Sequence, residues 1–257
     1  MRILFIHQNF PAQYKHLAAT LAQSPGCRVV ALGDLDNVKH RPKIPGVNLV
    51  GYPTPAPATA RTHHYVRPLE GAVRRGQAVV RACLELQKHG FVPDVIYAHP
   101  GWGEALFLRD VFPKARLTLY CEFYYHAQGA DVGFDPEFPS SLDDALRVRI
   151  KNAASLLSLE AAAAGISPTQ WQRRMFPKEF RSRIEVIRNA ATHLSDFFGA
   201  RLSHLSFRAV MVPSGSDGCG LCSGRLAHRS SDGSHHRPQE WIARGFLQSG
   251  GGRGARG

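Results

Sequence analysis

Residues 1–32 read MRILFIHQNFPAQYKHLAATLAQSPGCRVVAL, and the hydrophobic period changes twice within them. Residues 3–6 are an unbroken apolar run of strand length. Tyr14, Leu17, Ala18, Leu21 and Ala22 then recur at helical spacing. Residues 28–32 return to a continuous run. A strand covered on one face alternates apolar and polar side chains, whereas a strand in a parallel sheet is covered on both and reads as continuous. The segment therefore predicts strand, helix, strand, with residues 3–6 in the interior of a parallel sheet.

The same alternation continues outward. Residues 47–52 form a third strand, and PTPAPATA at 53–60 must be an extended loop, because its prolines lack donors and fix φ. Leu69, Ala72, Val73, Val79, Val80, Cys83 and Leu86 form a second helical stripe. Strands at 95–98 and 117–121 enclose a short helix at 104–110. Ser140 and Ser141 can cap a helix whose apolar positions run from Leu142 to Leu157, with Asp143 and Asp144 in its first turn. A strand at 166–167, a helix begun by Pro168 and Thr169, and a strand at 184–187 complete the series. The expected fold class is α/β: a Rossmann-like, mostly parallel sheet with helices on both faces, over residues 1–193.

Residues 194–257 differ in kind. They hold 12 of the 24 Gly and 10 Ser, no Lys, and 8 Arg against 3 Asp and 1 Glu. Such a composition cannot bury enough surface to offset its ordering entropy, so a disordered tail is expected, with an out-of-frame origin as one reading. Cys219 and Cys222 form a C-x-x-C followed by His228, His235 and His236. The adjacent histidines do not fit the H-x₃₋₅-H spacing of a zinc site, and no metal is expected.

Composition excludes some classes. At 44% hydrophobic and 20% charged, most of the 257 residues can fold around a core. No apolar run has the length of a membrane span, and the first ten residues read as a strand rather than a leader. The net charge of +12 favours phosphates, anionic lipid or nucleic acid without choosing among them. Cys27, Cys83 and Cys121 read as buried thiols of a reducing compartment. The first strand runs into HQNFPAQ with no glycine, and no G-x-x-x-x-G-K-[ST] loop exists, so no nicotinamide, flavin or other cofactor is expected. Residues 171–183, WQRRMFPKEFRSR, interleave aromatics with five basic residues. They could rest on anionic lipid or phosphate, or simply form a solvated helix face.

In parallel sheets, ligands bind beyond the carboxyl ends of the strands. The residues there are His7, Gln8, Asn9 and Phe10, then His99, Gly101, Trp102, Gly103 and Glu104, then Glu122, Phe123 and Tyr124. Amides and carboxylates suit sugar hydroxyls, and aromatic rings suit the apolar faces of sugars. Ordinary polar strand ends are the alternative. The glycines of Gly101-Trp102-Gly103-Glu104 permit close backbone approach to a ligand and place Glu104 in the first turn of a helix. The alternative is a tight turn with Trp102 on the core.

These loops resemble glycosyltransferase family 4, of the GT-B fold, over residues 1 to about 190. The carriers are MRILFIHQNFPAQYKHLA, DVIYAHPGWGEALFLRDVFPKARLTLYCEFYY, GADVGFDPEFP and AGISPTQWQRRMFP. The resemblance implies the acceptor-side half of a retaining transferase that uses a nucleotide-sugar donor without a metal and passes a hexosyl group to a saccharide or lipid acceptor. It implies a cytoplasmic protein, with peripheral contact to an anionic membrane and no nucleic-acid partner. Glu122 and His99 would stand nearest the reaction, His99 and Glu104 would orient acceptor hydroxyls, and Gln8 and Asn9 would face the donor diphosphate. Asn189 matches the hinge of the family's Asn-Gly-(Val/Ile)-Asp, but Ala190 and Ala191 depart from it. The donor half's two Glu separated by seven residues occur nowhere in the chain, so a truncated transferase is expected. The competing readings are a catalytically inactive module that binds a saccharide or anionic lipid, and a flavodoxin-like phosphate-ligand protein.

Overall fold

Leu4, Phe5 and Ile6 are shut off from solvent on both sides, and Ile3 nearly so. A strand buried in this way needs neighbours on both edges and layers on both faces. The computed structural model describes residues 1–187 apart from 131, 134, 136 and 138. Among the described residues, seven strands form one parallel sheet in the order β3-β2-β1-β4-β5-β6-β7. They are β1 (Arg2–Ile6), β2 (Arg28–Asp34), β3 (Val47–Tyr52), β4 (Val95–Ala98), β5 (Arg116–Tyr120), β6 (Ala164–Ser167) and β7 (Ile184–Val186). In β1, Ile3 pairs with Val29 on one side and Val95 on the other, and Ile6 with Leu32 and Ala98.

The chain winds outward from β1 to β3, recrosses the sheet, and winds outward again from β4 to β7. Right-handed crossovers then place α1 (Lys15–Gln23) on one face and the helices that join β3 through β7 on the other. The recrossing element is α3 (Arg67–Lys88), at 22 residues ~33 Å long. It buries Ala72, Gly76, Val79, Cys83 and Leu86, one stripe at helical spacing, and it packs on three helices of that face. The reversal of winding direction opens a crevice between the carboxyl ends of β1 and β4.

Three helices differ from expectation. The run at 104–110 is helical only as α4 (Leu108–Val111), because residues 101–107 form turns that press onto α3. The helix begun at Leu142 is two, α5 (Leu142–Lys151) and α6 (Ala153–Ala161), with Asn152 between them. Ser141 closes a capping box with Asp144 at the start of α5. Residues 171–183 fold into α7 (Gln170–Met175), capped by Thr169, and α8 (Lys178–Arg181). The remaining helix, α2 (Leu35–Val38), follows β2.

Three of the four arginines of residues 171–183 bond to carbonyls within the chain, while Arg174 and Lys178 remain exposed on the solvated side. Arg173 donates to the carbonyls of Arg181 and Ile184, Arg181 to that of Phe176, and Arg183 to those of Ala162 and Leu159. Those guanidinium groups close the ends of short helices instead of meeting an external anion. Cys83 and Cys121 are buried, and burial pushes both thiols up to about 12. Cys27 is half-buried in the turn before β2, so the expectation of a third buried thiol fails there. No helix among the described residues is long and apolar enough to cross a membrane. The boundary near 193, the tail, its C-x-x-C and Asn189 lie outside the described residues.

Candidate functional site

Three loops leave the sheet at the crevice. After β1, the His7 amide still reaches across to the Leu32 carbonyl, and Phe10 N–H turns back to the His7 carbonyl at 2.9 Å. The His7 Nδ1 accepts from Asn9 N–H at 2.9 Å. An accepting Nδ1 carries no proton, so the neutral ring holds its hydrogen on Nε2. Gln8 N–H is also taken, by Glu104 Oε1 at 3.2 Å. The N–H groups of Gln8, Asn9 and Phe10 are thus all committed inside the chain. They are not displayed to a diphosphate, as the sequence suggests for Gln8 and Asn9. Phe10 is not on the rim: it lies in the core with Phe5, Tyr14 and Leu21.

After β4, His99 repeats the pattern, its Nδ1 accepting from Gly101 N–H at 3.0 Å. Its Nε2 therefore carries the hydrogen and lies 3.5 Å from Glu122 Oε2, without hydrogen-bond geometry. Trp102, 38% exposed, stacks on the His99 ring with centroids 4.3 Å apart. His7 stands edge-on to both, at 5.6 Å from His99 and 5.3 Å from Trp102. Gly103 has φ +99, and a Cβ there would strike the Ala72 backbone. This glycine serves close approach to α3, not to a ligand. The fold it permits carries Glu104 beneath the crevice, where it is 1% exposed. Glu104 is neither in the first turn of a helix nor in the wall of the cleft.

After β5, Glu122 leads an aromatic run. Asn152 holds that run from below: its Oδ1 accepts from Tyr125 N–H at 3.0 Å and its Nδ2 donates to the Tyr125 carbonyl at 2.8 Å. The Asn152 backbone stays in the right-handed helical region, and its N–H and carbonyl keep bonds to Val148 and Leu156, so the side chain reaches Tyr125 from the junction of the two helices. Lys151 Nζ sits 3.5 Å over the Tyr125 ring. Phe123 is 47% exposed and stacks on Tyr125, whereas Tyr124 turns in against Phe176.

Burial dominates the electrostatics. It pushes His7 down to about 3, with His99 and Arg41 adding to the effect, so this ring is neutral at physiological pH. Burial also raises the Glu104 carboxyl, against the opposing pull of Arg75 and His99. The Tyr52 hydroxyl is raised by burial and by Glu104, to which it donates at 3.2 Å. His99 Nε2 and Glu104 Oε2 are buried without hydrogen-bond partners among the described residues. Native interiors leave few such atoms, and Gln13 Nε2, Tyr14 Oη and Arg75 Nε share that state among the described residues.

The structure thus brings His7, His99, Trp102 and Glu122 together, sets Phe123 and Tyr124 on the adjoining edge, and draws Phe10, Gly103 and Glu104 inward. Sequence reasoning missed Tyr52, Arg75 and Asn152. Tyr52 ends a strand and Arg75 lies on a helix with many basic neighbours, so neither stood out. Asn152 had one available signal, a polar residue inside an apolar helical stripe. No group of three or more His, Cys, Asp or Glu among the described residues could hold a metal.

The family model described as the glycosyl transferase family 4 group matches residues 25–191. No curated protein matches the chain. Among solved structures, the chain is similar to UDP-glucose:anthocyanidin 3-O-glucosyltransferase in complex with UDP, at 11% identity and TM-score 0.45, over 77% of this chain and 57% of that one. It is similar to UDP-GlcNAc 2-epimerase from Neisseria meningitidis bound to UDP-GlcNAc, at 10% identity and TM-score 0.42, over 81% and 52%. It is also similar to a UDP-N-acetylglucosamine 2-epimerase from Listeria monocytogenes, at 14% identity and TM-score 0.39, over 71% and 44%. The chain spans about half the length of these structures.

Proposed function

The chain belongs to the glycosyl transferase family 4 group, and on that footing we propose that it forms the acceptor side of a retaining hexosyltransferase that uses a nucleotide-sugar. The observation that carries this reading is the pair His99 Nε2 and Glu122 Oε2, 3.5 Å apart at the mouth of the β1/β4 crevice. One atom donates and the other accepts, which is what a sugar hydroxyl needs from two sides. A hydroxyl that accepts from His99 and donates to Glu122 enters only as the Glu122 side chain swings aside, because 3.5 Å holds no atom between the two and His99 Nε2 is closed to solvent. Trp102 and Phe123 offer exposed ring faces to the C–H face of the same sugar. This is catalysis by positioning, with no covalent step assigned to the chain's own groups.

A saccharide acceptor suits these groups better than a lipid headgroup. Support for a peripheral membrane contact is reduced, since three arginines of residues 171–183 are bonded to carbonyls within the chain. A cytoplasmic location suits the free thiols of Cys83 and Cys121. The chain by itself should bind a nucleotide-sugar weakly or not at all, since the amides of residues 8–10 are already spent.

The test is transfer of labelled hexose from UDP-glucose, UDP-N-acetylglucosamine or GDP-mannose to a saccharide panel by the full chain. Turnover that is lost in E122Q and H99A supports the reading. Turnover is expected only where a donor-binding half completes the cleft, so saccharide binding by the chain alone that is lost in E122Q and H99A supports the acceptor side, and no transfer after such a half is supplied makes the chain an inactive binding module. Turnover that survives both substitutions contradicts the assigned pair.

A further inference from the structure

Glu104 is drawn under the crevice and its Oε1 collects two donors, Gln8 N–H and Tyr52 O–H, each at 3.2 Å. Gln8 is in turn held by α3, its Oε1 accepting from Arg75 Nη1 at 3.0 Å. One side chain thus ties the end of β3, the loop after β1 and the recrossing helix. Ties of this kind cost desolvation, and a buried carboxyl is an expensive way to stabilise a fold. A leucine in its place would fill the space at less cost but could not accept from the Gln8 amide. What the carboxyl secures is the height of residues 7–9, and hence the attitude of the His7 ring, which stands edge-on to His99 and Trp102.

We propose that Glu104 is a positioning residue of the site: through its bond to Gln8 N–H it sets residues 7–9 and holds the His7 ring against His99 and Trp102. The proposal rests on the acceptor-site reading only for the purpose of that placement. The groups facing Glu104 are Arg75, His99, Tyr52 and Tyr14. Those facing His7 are His99, Arg41, Tyr14 and Trp102. A shift in His7 behaviour can therefore be traced to the loop when the other facing groups are left in place.

The test is ¹⁵N NMR of the imidazole rings in the full chain, with His7 assigned through H7N. The wild type should show His7 neutral, with hydrogen on Nε2, down to about pH 4. E104Q keeps an acceptor for Gln8 N–H and should preserve that signature. E104A removes the acceptor and E104D withdraws it by one methylene. In both, His7 should protonate at least about one pH unit higher. Unchanged His7 titration in E104A and E104D overturns the proposal, as does E104Q behaving like E104A. Failure of both E104A and E104D to fold, with E104Q folded, would assign Glu104 to the fold alone and also overturn it. No sugar enters this measurement, so its failure and a failure of the transferase reading are told apart.

Discussion

One wall of the site, the loops after β1 and β4 at residues 7–9 and 99–102, is tied from within. Its imidazole Nδ1 atoms accept from their own loops, and a buried carboxyl joins the two loops underneath. The other wall, the loop after β5 at residues 122–126, is tied to neighbouring helices through Asn152, Lys151 and the Met175 carbonyl, and it leaves Phe123 in solvent. The first wall spends its backbone N–H groups and imidazole Nδ1 atoms internally, keeps His99 Nε2 unpaired and presents ring edges and faces. The second keeps a half-buried carboxylate and an exposed ring. Fixed geometry on one side and adaptable contact on the other are what the proposed acceptor site would use to orient one hydroxyl on sugars of differing shape.

The contrast can be broken most strongly at two glycines with the same backbone sign. Gly103 has φ +99 with the Ala72 backbone against its Cβ position, while Gly129, after the second wall, has φ +73 and open space around it. G103A should cost roughly 3 kcal/mol or more of folding stability and G129A about 1 kcal/mol, by denaturant titration. Equal losses would show that the first wall is no tighter than the second.

Asn152 comes next. N152A strands the Tyr125 amide and carbonyl, and should cost about 2 kcal/mol and speed hydrogen exchange at Tyr125. N152D keeps the acceptor, and about half of that loss is expected. Exchange at Gly101, in the other wall, should not change.

The first wall carries its own pH signature. The His7 value of about 3 in the folded chain lies below the ordinary 6.5, so the unfolded chain binds the proton first. Stability from this group is intact above pH 6.5 and is lost as pH falls toward 3. Between pH 6 and pH 4 the wild type should lose up to about 2 kcal/mol more than H7N. Parallel curves would mean that His7 is exposed. The smallest effect belongs to the exposed ring: F123A should leave stability within about 0.5 kcal/mol of wild type.

Much of the sheet was legible because strands covered on both faces are written as continuous apolar runs, as at Ile3 to Ile6 and Val95 to Ala98. Helices were less so. Asn152, at the junction of two helices, pairs with a partner 27 residues away, and Glu104 is buried by partners 52 and 96 residues away. Such pairings have no local signature. The site was legible as a set of strand-end residues, but not in its division between wall and floor. A carboxylate such as Glu104 and one such as Glu122 look alike until burial separates them, 1% exposed against a partly open side chain.

The central claim is that His99 and Glu122 jointly receive a sugar hydroxyl beside Trp102. Saturation-transfer NMR of the full chain with a panel of mono- and disaccharides tests it most directly, with E122Q, H99A and W102A as comparisons. Saturation transfer to at least one saccharide is expected in the wild type, lost in E122Q and H99A and weakened in W102A. Saccharide signals that persist in E122Q and H99A, or no saccharide signal in the wild type, would contradict it.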